Sequence, residues 1–190
     1  MLRKLVQGRM LARVAIAGLS AATMIASFES AHAATDGTQG ATSTGTVGIS
    51  ASVPSRVRIT GLEDVAFTNQ DPAISASNAQ DVCVWSNTAT KGYSILATGS
   101  GTANAFTLSN GTTTVPYTVQ WSSSAGNTSG TAVTAGTALT GQVSTATNQL
   151  CSSGPANSAS LVVGISTANL GTMQASTSYI GTLTLLVAPE

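Results

Sequence analysis

Charge is scarce in this 190-residue chain: Asp, Glu, Lys and Arg make up 7% of it, histidine occurs once, cysteine twice, and aromatics reach 4%. Each scarcity removes a class of function. The single histidine, His32, lies in the leading segment, so residues 34–190 hold none. A Ser-His-Asp triad and histidine-based metal sites are therefore excluded from that part. Only Arg56, Arg58 and Lys91 are basic there, against Asp36, Glu63, Asp64, Asp71, Asp81 and Glu190, a net charge of −3. Nucleic acid binding needs clustered cations to neutralise phosphates, and none cluster here. Lys91 sits in a turn-forming stretch, which rarely supplies the burial a Ser-Lys dyad needs. Glu63 and Asp64 are adjacent, so on a strand they would point to opposite faces and could not act as a pair. Asp71 and Asp81 flank a loop without EF-hand spacing. No enzyme activity, metal or cofactor is expected.

Apolar length is also scarce, except at the start. Arg3, Lys4, Arg9 and Arg13 precede the apolar stretch VAIAGLSAATMIASF, and ESAHA then places Ala31 and Ala33 at the small-residue positions of a cleavage site. Residues 1–33 read as a secretory signal peptide. The apolar run is short for a span of about 20 residues. No other segment is apolar enough to cross, so the expectation is export with no transmembrane segment in the mature chain. In an oxidising compartment the two cysteines, Cys83 and Cys151, are expected to pair.

What is abundant is Ser, Thr, Gly and Ala in an alternating pattern. Apolar residues recur every second position and no helical period is sustained. Strands are predicted over 47–53, 57–59, 65–67, 82–86, 93–98, 104–109, 115–121, 137–144, 159–166 and the closing SYIGTLTLLVAPE, with a helical turn near Leu170. DPAISASNAQD (71–81) reads as a loop, because Asp-Pro, Asn and Ser favour turns. Asn110-Gly111, between two alternating runs, is the best hairpin signal. Trp85, Tyr93, Phe106, Tyr117, Trp121 and Tyr179 fall on strands and read as core. About ten short strands with turn signals between them predict an all-β antiparallel sandwich of one domain.

The two ends carry a resemblance. TSTGTVGISASVPSRVRI opens the exported part with a polar lead and an alternating strand, and Y-x-G-T-L-T-L-x-V closes it. This is similar to the subunits of chaperone–usher fimbriae, in particular the alternate and archaic classes, and to the spore coat protein U group of secreted pilin-like proteins. The ending VAPE, with no aromatic one residue before the terminus, resembles the archaic-like group more closely. The resemblance implies an immunoglobulin-like sandwich lacking its last strand, over residues 54–190, with 34–53 as an N-terminal extension. It implies that Val47, Ile49, Ala51 and Val53 enter a neighbour's groove as a donor strand. Tyr179, Leu183, Leu185 and Val187 would then share one face beside the groove and contact the chaperone. The implied partners are other pilin subunits, a periplasmic chaperone and an outer-membrane usher, with passage through the periplasm to the cell surface. Against this stands a self-contained secreted or coat β-sandwich whose opening strand pairs with its own sheet. A carbohydrate-binding adhesin would need aromatics clustered with polar side chains, and nothing in the sequence gathers them.

Overall fold

A computed structural model describes residues 33–154 and 156–190. The signal-peptide reading falls on residues 1–32, outside the described residues, save for Ala33. The chain divides into two compact units between Ser52 and Val53. In the first, Thr35 and Thr46 form one antiparallel bridge, with both N–H···O bonds at 2.9 Å.

The second unit is an antiparallel β-sandwich. Its strands are β1 (Val57–Thr60), β2 (Ala76–Ser86), β3 (Gly92–Gly99), β4 (Thr107–Ser109), β5 (Thr114–Pro116), β6 (Thr118–Ser122), β7 (Thr131–Ala132), β8 (Ala138–Val143), β9 (Ala159–Ile165) and β10 (Leu183–Pro189). A single α-helical turn, α1 (Thr167–Leu170), follows β9, capped by the Ser166 hydroxyl accepting from the Asn169 N–H. One sheet has the order β1-β2-β9-β6-β7, the second β10-β3-β8, and β4-β5 is a separate hairpin.

The alternation explains the packing, because it sends one set of side chains from each sheet inward. Val82 and Val84 of β2, Val119 and Trp121 of β6, and Leu161, Val163 and Ile165 of β9 meet Tyr93, Ile95 and Ala97 of β3 in one buried core. At its centre the Trp121 Nε1–H donates to the Tyr93 hydroxyl at 3.1 Å, the two rings edge to face with centroids 6.4 Å apart. Phe106 stacks on Tyr117 at 5.6 Å beside the hairpin. In that hairpin Gly111 takes φ 90°, and the Asn110 carboxamide oxygen accepts the N–H groups of Thr112 and Thr113.

Cys83 and Cys151 form a disulfide with Cα atoms 5.9 Å apart. Cys83 lies on the face of β2 opposite Val82 and Val84, where Ala146 and Trp85 pack around the bridge. The bridge fastens the β8–β9 connection to the outside of the larger sheet. Two buried serines of that connection do a second task. The β2–β9 ladder ends at Val82↔Ala159, so the Val84 backbone has no strand partner on that side. The Ser158 hydroxyl accepts the Val84 N–H and donates to the Val84 carbonyl, both at 2.8 Å, and the Ser144 hydroxyl also donates to that carbonyl.

Several expectations are corrected. Residues 47–53 form no strand, and the 104–109 strand shortens to Thr107–Ser109, after a 3-10 turn at Thr102–Asn104. Residues 76–81 are strand, because pairing with the apolar β9 outweighs the local turn preference of Ser77 and Asn78. Residues 65–67 form no strand. The stretch 115–121 breaks at Tyr117, whose N–H donates to the Phe106 carbonyl, so β5 and β6 join different sheets. Trp85 is half-buried against the disulfide rather than in the main core.

Two consequences can be measured. The bridge closes a loop with a sequence separation of 68. Cys83→Ser/Cys151→Ser should lower stability by about 4 kcal/mol in urea titrations. Burial raises the Tyr93 phenol above its ordinary 10.0, opposed in part by the Trp121 hydrogen bond, and raises Tyr117 as well. A phenol with a raised folded-state pKa stabilises the fold fully below pH 10, and that contribution is lost as pH rises through the folded value. The urea midpoint should therefore fall above pH 10, and Tyr93→Phe should make that fall shallower. The same substitution should cost about 1–3 kcal/mol at neutral pH, because it strands the buried Trp121 N–H.

Candidate functional site

One side of the sandwich is open. A groove of about 920 Å³ runs between the segment Leu62–Gln70 and the stretch Tyr179–Leu183 with Leu185. Its floor is apolar: Leu161, Val163 and Ile165 of β9, with Leu108, Tyr117, Leu170 and Met173. Glu63 and Asp64 both line it, since the backbone there is not a strand and does not send neighbours to opposite faces.

The right wall of this groove, as the chain closes, is β10, an edge strand paired only with β3 in its sheet. Hydrogen bonds at both ends fix its parity: the Ser100 N–H donates to the Thr182 carbonyl at 3.0 Å, and the Glu190 N–H donates to the Gly92 carbonyl at 3.1 Å. With the register Leu183↔Gly99 to Pro189↔Tyr93, even-numbered residues turn their backbone toward β3. The odd ones, Leu183, Leu185 and Val187, turn theirs to the bare edge. Those same residues are half-buried and pack their side chains on the core. The edge thus offers unpaired N–H and C=O groups directly above an apolar floor.

The opposite wall begins where β1 stops. Gly61 takes φ 80°, a left-handed conformation that turns the chain out of the ladder. Beyond it the Gln80 carboxamide reaches the Glu63 backbone, accepting its N–H at 2.8 Å and donating to its carbonyl at 3.0 Å. Val65 and Phe67 are half-buried against the core, and an Asp71 turn closes the segment, with the Ala73 N–H on the Asp71 carboxylate at 2.9 Å.

Of the residues singled out from sequence, Tyr179, Leu183 and Leu185 line the groove, and Val187 packs on the core beyond it. The Tyr179 hydroxyl bonds Thr113 at 3.2 Å and accepts the Gln174 N–H at 3.1 Å, which together pull its pKa below the ordinary tyrosine value. Val47, Ile49 and Val53 are 77%, 92% and 83% exposed, Ala51 is exposed, and residues 47–53 form no strand. The disulfide lies away from the groove. Asp81 accepts from the Gly126 N–H at 2.8 Å and the Ser160 hydroxyl at 2.6 Å, so its carboxylate holds loops together. Gln80 was not picked out from sequence, and within 62–70 only the Glu63–Asp64 pair and a strand at 65–67 were read, neither as part of a groove. The one available signal was that the alternation Val57, Ile59 breaks at Gly61.

Among the described residues, no group of His, Cys, Asp and Glu is arranged to hold a metal ion, and no helix is long and apolar enough to cross a membrane. No protein-family model matches this chain, and no curated protein does.

An open apolar groove should take up an environment-sensitive apolar dye. Leu185→Lys should sharply reduce that fluorescence while costing about 1 kcal/mol of stability, since the leucine is only half-buried. Unchanged fluorescence in the folded variant would mean that the dye binds elsewhere.

Proposed function

We propose that this protein is an exported structural subunit that assembles by strand addition, the role implied by its resemblance to chaperone–usher fimbrial subunits. The observation that carries the reading is the groove: a bare β10 edge beside an apolar floor built from β9. An extended strand docking there gains main-chain hydrogen bonds along β10 and buries alternate side chains below. The segment 42–54 has the complementary chemistry. It is uncharged, its apolar residues Val47, Ile49, Ala51 and Val53 recur at period two, and their side chains are exposed. The occupant is therefore read as the N-terminal segment of a second copy or of a related subunit.

The remaining assignments follow from that reading. A periplasmic chaperone would cover the groove before assembly, an outer-membrane usher would pass the subunit to the surface, and the disulfide suits the oxidising compartment on that route. The charge-poor, Ser- and Thr-rich surface suits a wall component of a fibre rather than a catalyst.

The test is assembly. The exported chain should form concentration-dependent oligomers by light scattering, and deleting residues 34–53 should abolish them. Undiminished oligomers after the deletion would sink the reading, as would an intact chain that folds unaided and stays monomeric.

A further inference from the structure

The β1–β2 register pairs Val57 with Ser86 and Thr60 with Cys83. Continued in step, it would set Glu63 directly opposite Gln80. The ladder does not continue. The Gln80 side chain occupies the place of a backbone partner, and its carboxamide makes with Glu63 the N–H and C=O bonds that a strand would make. The wall therefore stands off β2 by the length of a glutamine side chain, rather than zipping onto it at strand spacing. From Asp64 to Phe67 no backbone hydrogen bond ties the wall to another element, among the described residues. Gly61 at one end and the Asp71 turn at the other are its fixed points.

We propose that Gln80 is the positioning residue of the groove wall: its carboxamide holds Leu62–Gln70 off β2 and in the place that a docked strand requires. This inference rests on the strand-acceptor reading. Gln80 also lines the groove, but both ends of its carboxamide are engaged by the Glu63 backbone, so its loss changes docking by letting the wall move. Two hydrogen bonds to one backbone residue make it the main polar tie of the segment, while Val65 and Phe67 supply the apolar one.

The experiment compares the full exported chain with its Gln80→Leu variant, which keeps the bulk and removes the amide. Two quantities are read: hydrogen exchange of the amides at 63–67, and binding of a labelled peptide with the sequence of residues 42–54. The variant should exchange faster across 63–67 and bind the peptide roughly tenfold more weakly, the scale expected from two hydrogen bonds. Gln80→Glu, which can accept from the Glu63 N–H but has no donor for its carbonyl, should fall between the two. Equal peptide affinity in wild type and Gln80→Leu overturns the positioning role and leaves the strand-acceptor reading standing. A peptide that binds neither protein overturns that reading, and exchange then decides the wall by itself: unchanged exchange at 63–67 overturns the inference. A Gln80→Leu chain that fails to fold leaves Gln80→Glu to give the same comparison, with unchanged exchange and affinity again overturning it.

Discussion

A backbone amide or carbonyl taken out of water must find a partner, and in a sheet the partner comes from the next strand. This sandwich is organised around the places where that supply stops. Where the β2–β9 ladder stops at Val82, the hydroxyls of Ser144 and Ser158 take over at Val84. Where β1 ends, the Gln80 carboxamide takes over at Glu63. At the 110–113 turn the Asn110 carboxamide serves two N–H groups. Along the outer edge of β10, among the described residues, no side chain does so for Leu183, Leu185 and Val187, although their side chains help close the core. That difference separates a finished boundary from one suited to a further strand.

The fastening is correspondingly one-sided. The disulfide, the buried serines and the loop carrying Asn127 and Ser124 all secure the outer face of the larger sheet. On the groove side, the wall depends on one carboxamide and two half-buried apolar side chains. Stability contributed far from the groove leaves its wall free to adjust without loosening the core. Low local stability where a partner docks is the usual arrangement in binding elements.

The fold class was legible because it rests on period, and period survives any tertiary context. The alternation in 93–98, 115–121 and 159–166 marked the β character, and Asn110-Gly111 marked its hairpin. The cysteine pair followed from count and expected compartment. What stayed hidden depended on neighbours distant in sequence. Residues 76–81 look like a turn until β9 lies beside them, and 65–67 look like a strand until Gly61 and Gln80 interrupt the ladder. The wall itself could not be seen, because a glutamine that imitates a backbone partner leaves no pattern in the sequence.

On the strand-addition reading, the segment 47–53 and the edge of β10 can also be compared in length. β10 is seven residues long, and Val47 to Val53 is also seven, each about 20 Å when extended. Along β10 the residues that face inward with their side chains also face outward with their backbone, a coincidence forced by pleat and pairing together. A strand laid against that edge must therefore match it in two respects. It needs a backbone unencumbered by proline over the paired stretch, and small or branched apolar side chains at every second position. Residues 47–53 contain no proline, and Pro54 follows them at once. Proline cannot donate to a ladder, so it ends the part of the segment that can pair where the alternation also ends. The segment therefore carries its own length limit, and the edge carries one of the same kind: Pro189, the last residue of β10, shares the outward parity of Leu183, Leu185 and Val187 and has no N–H to give.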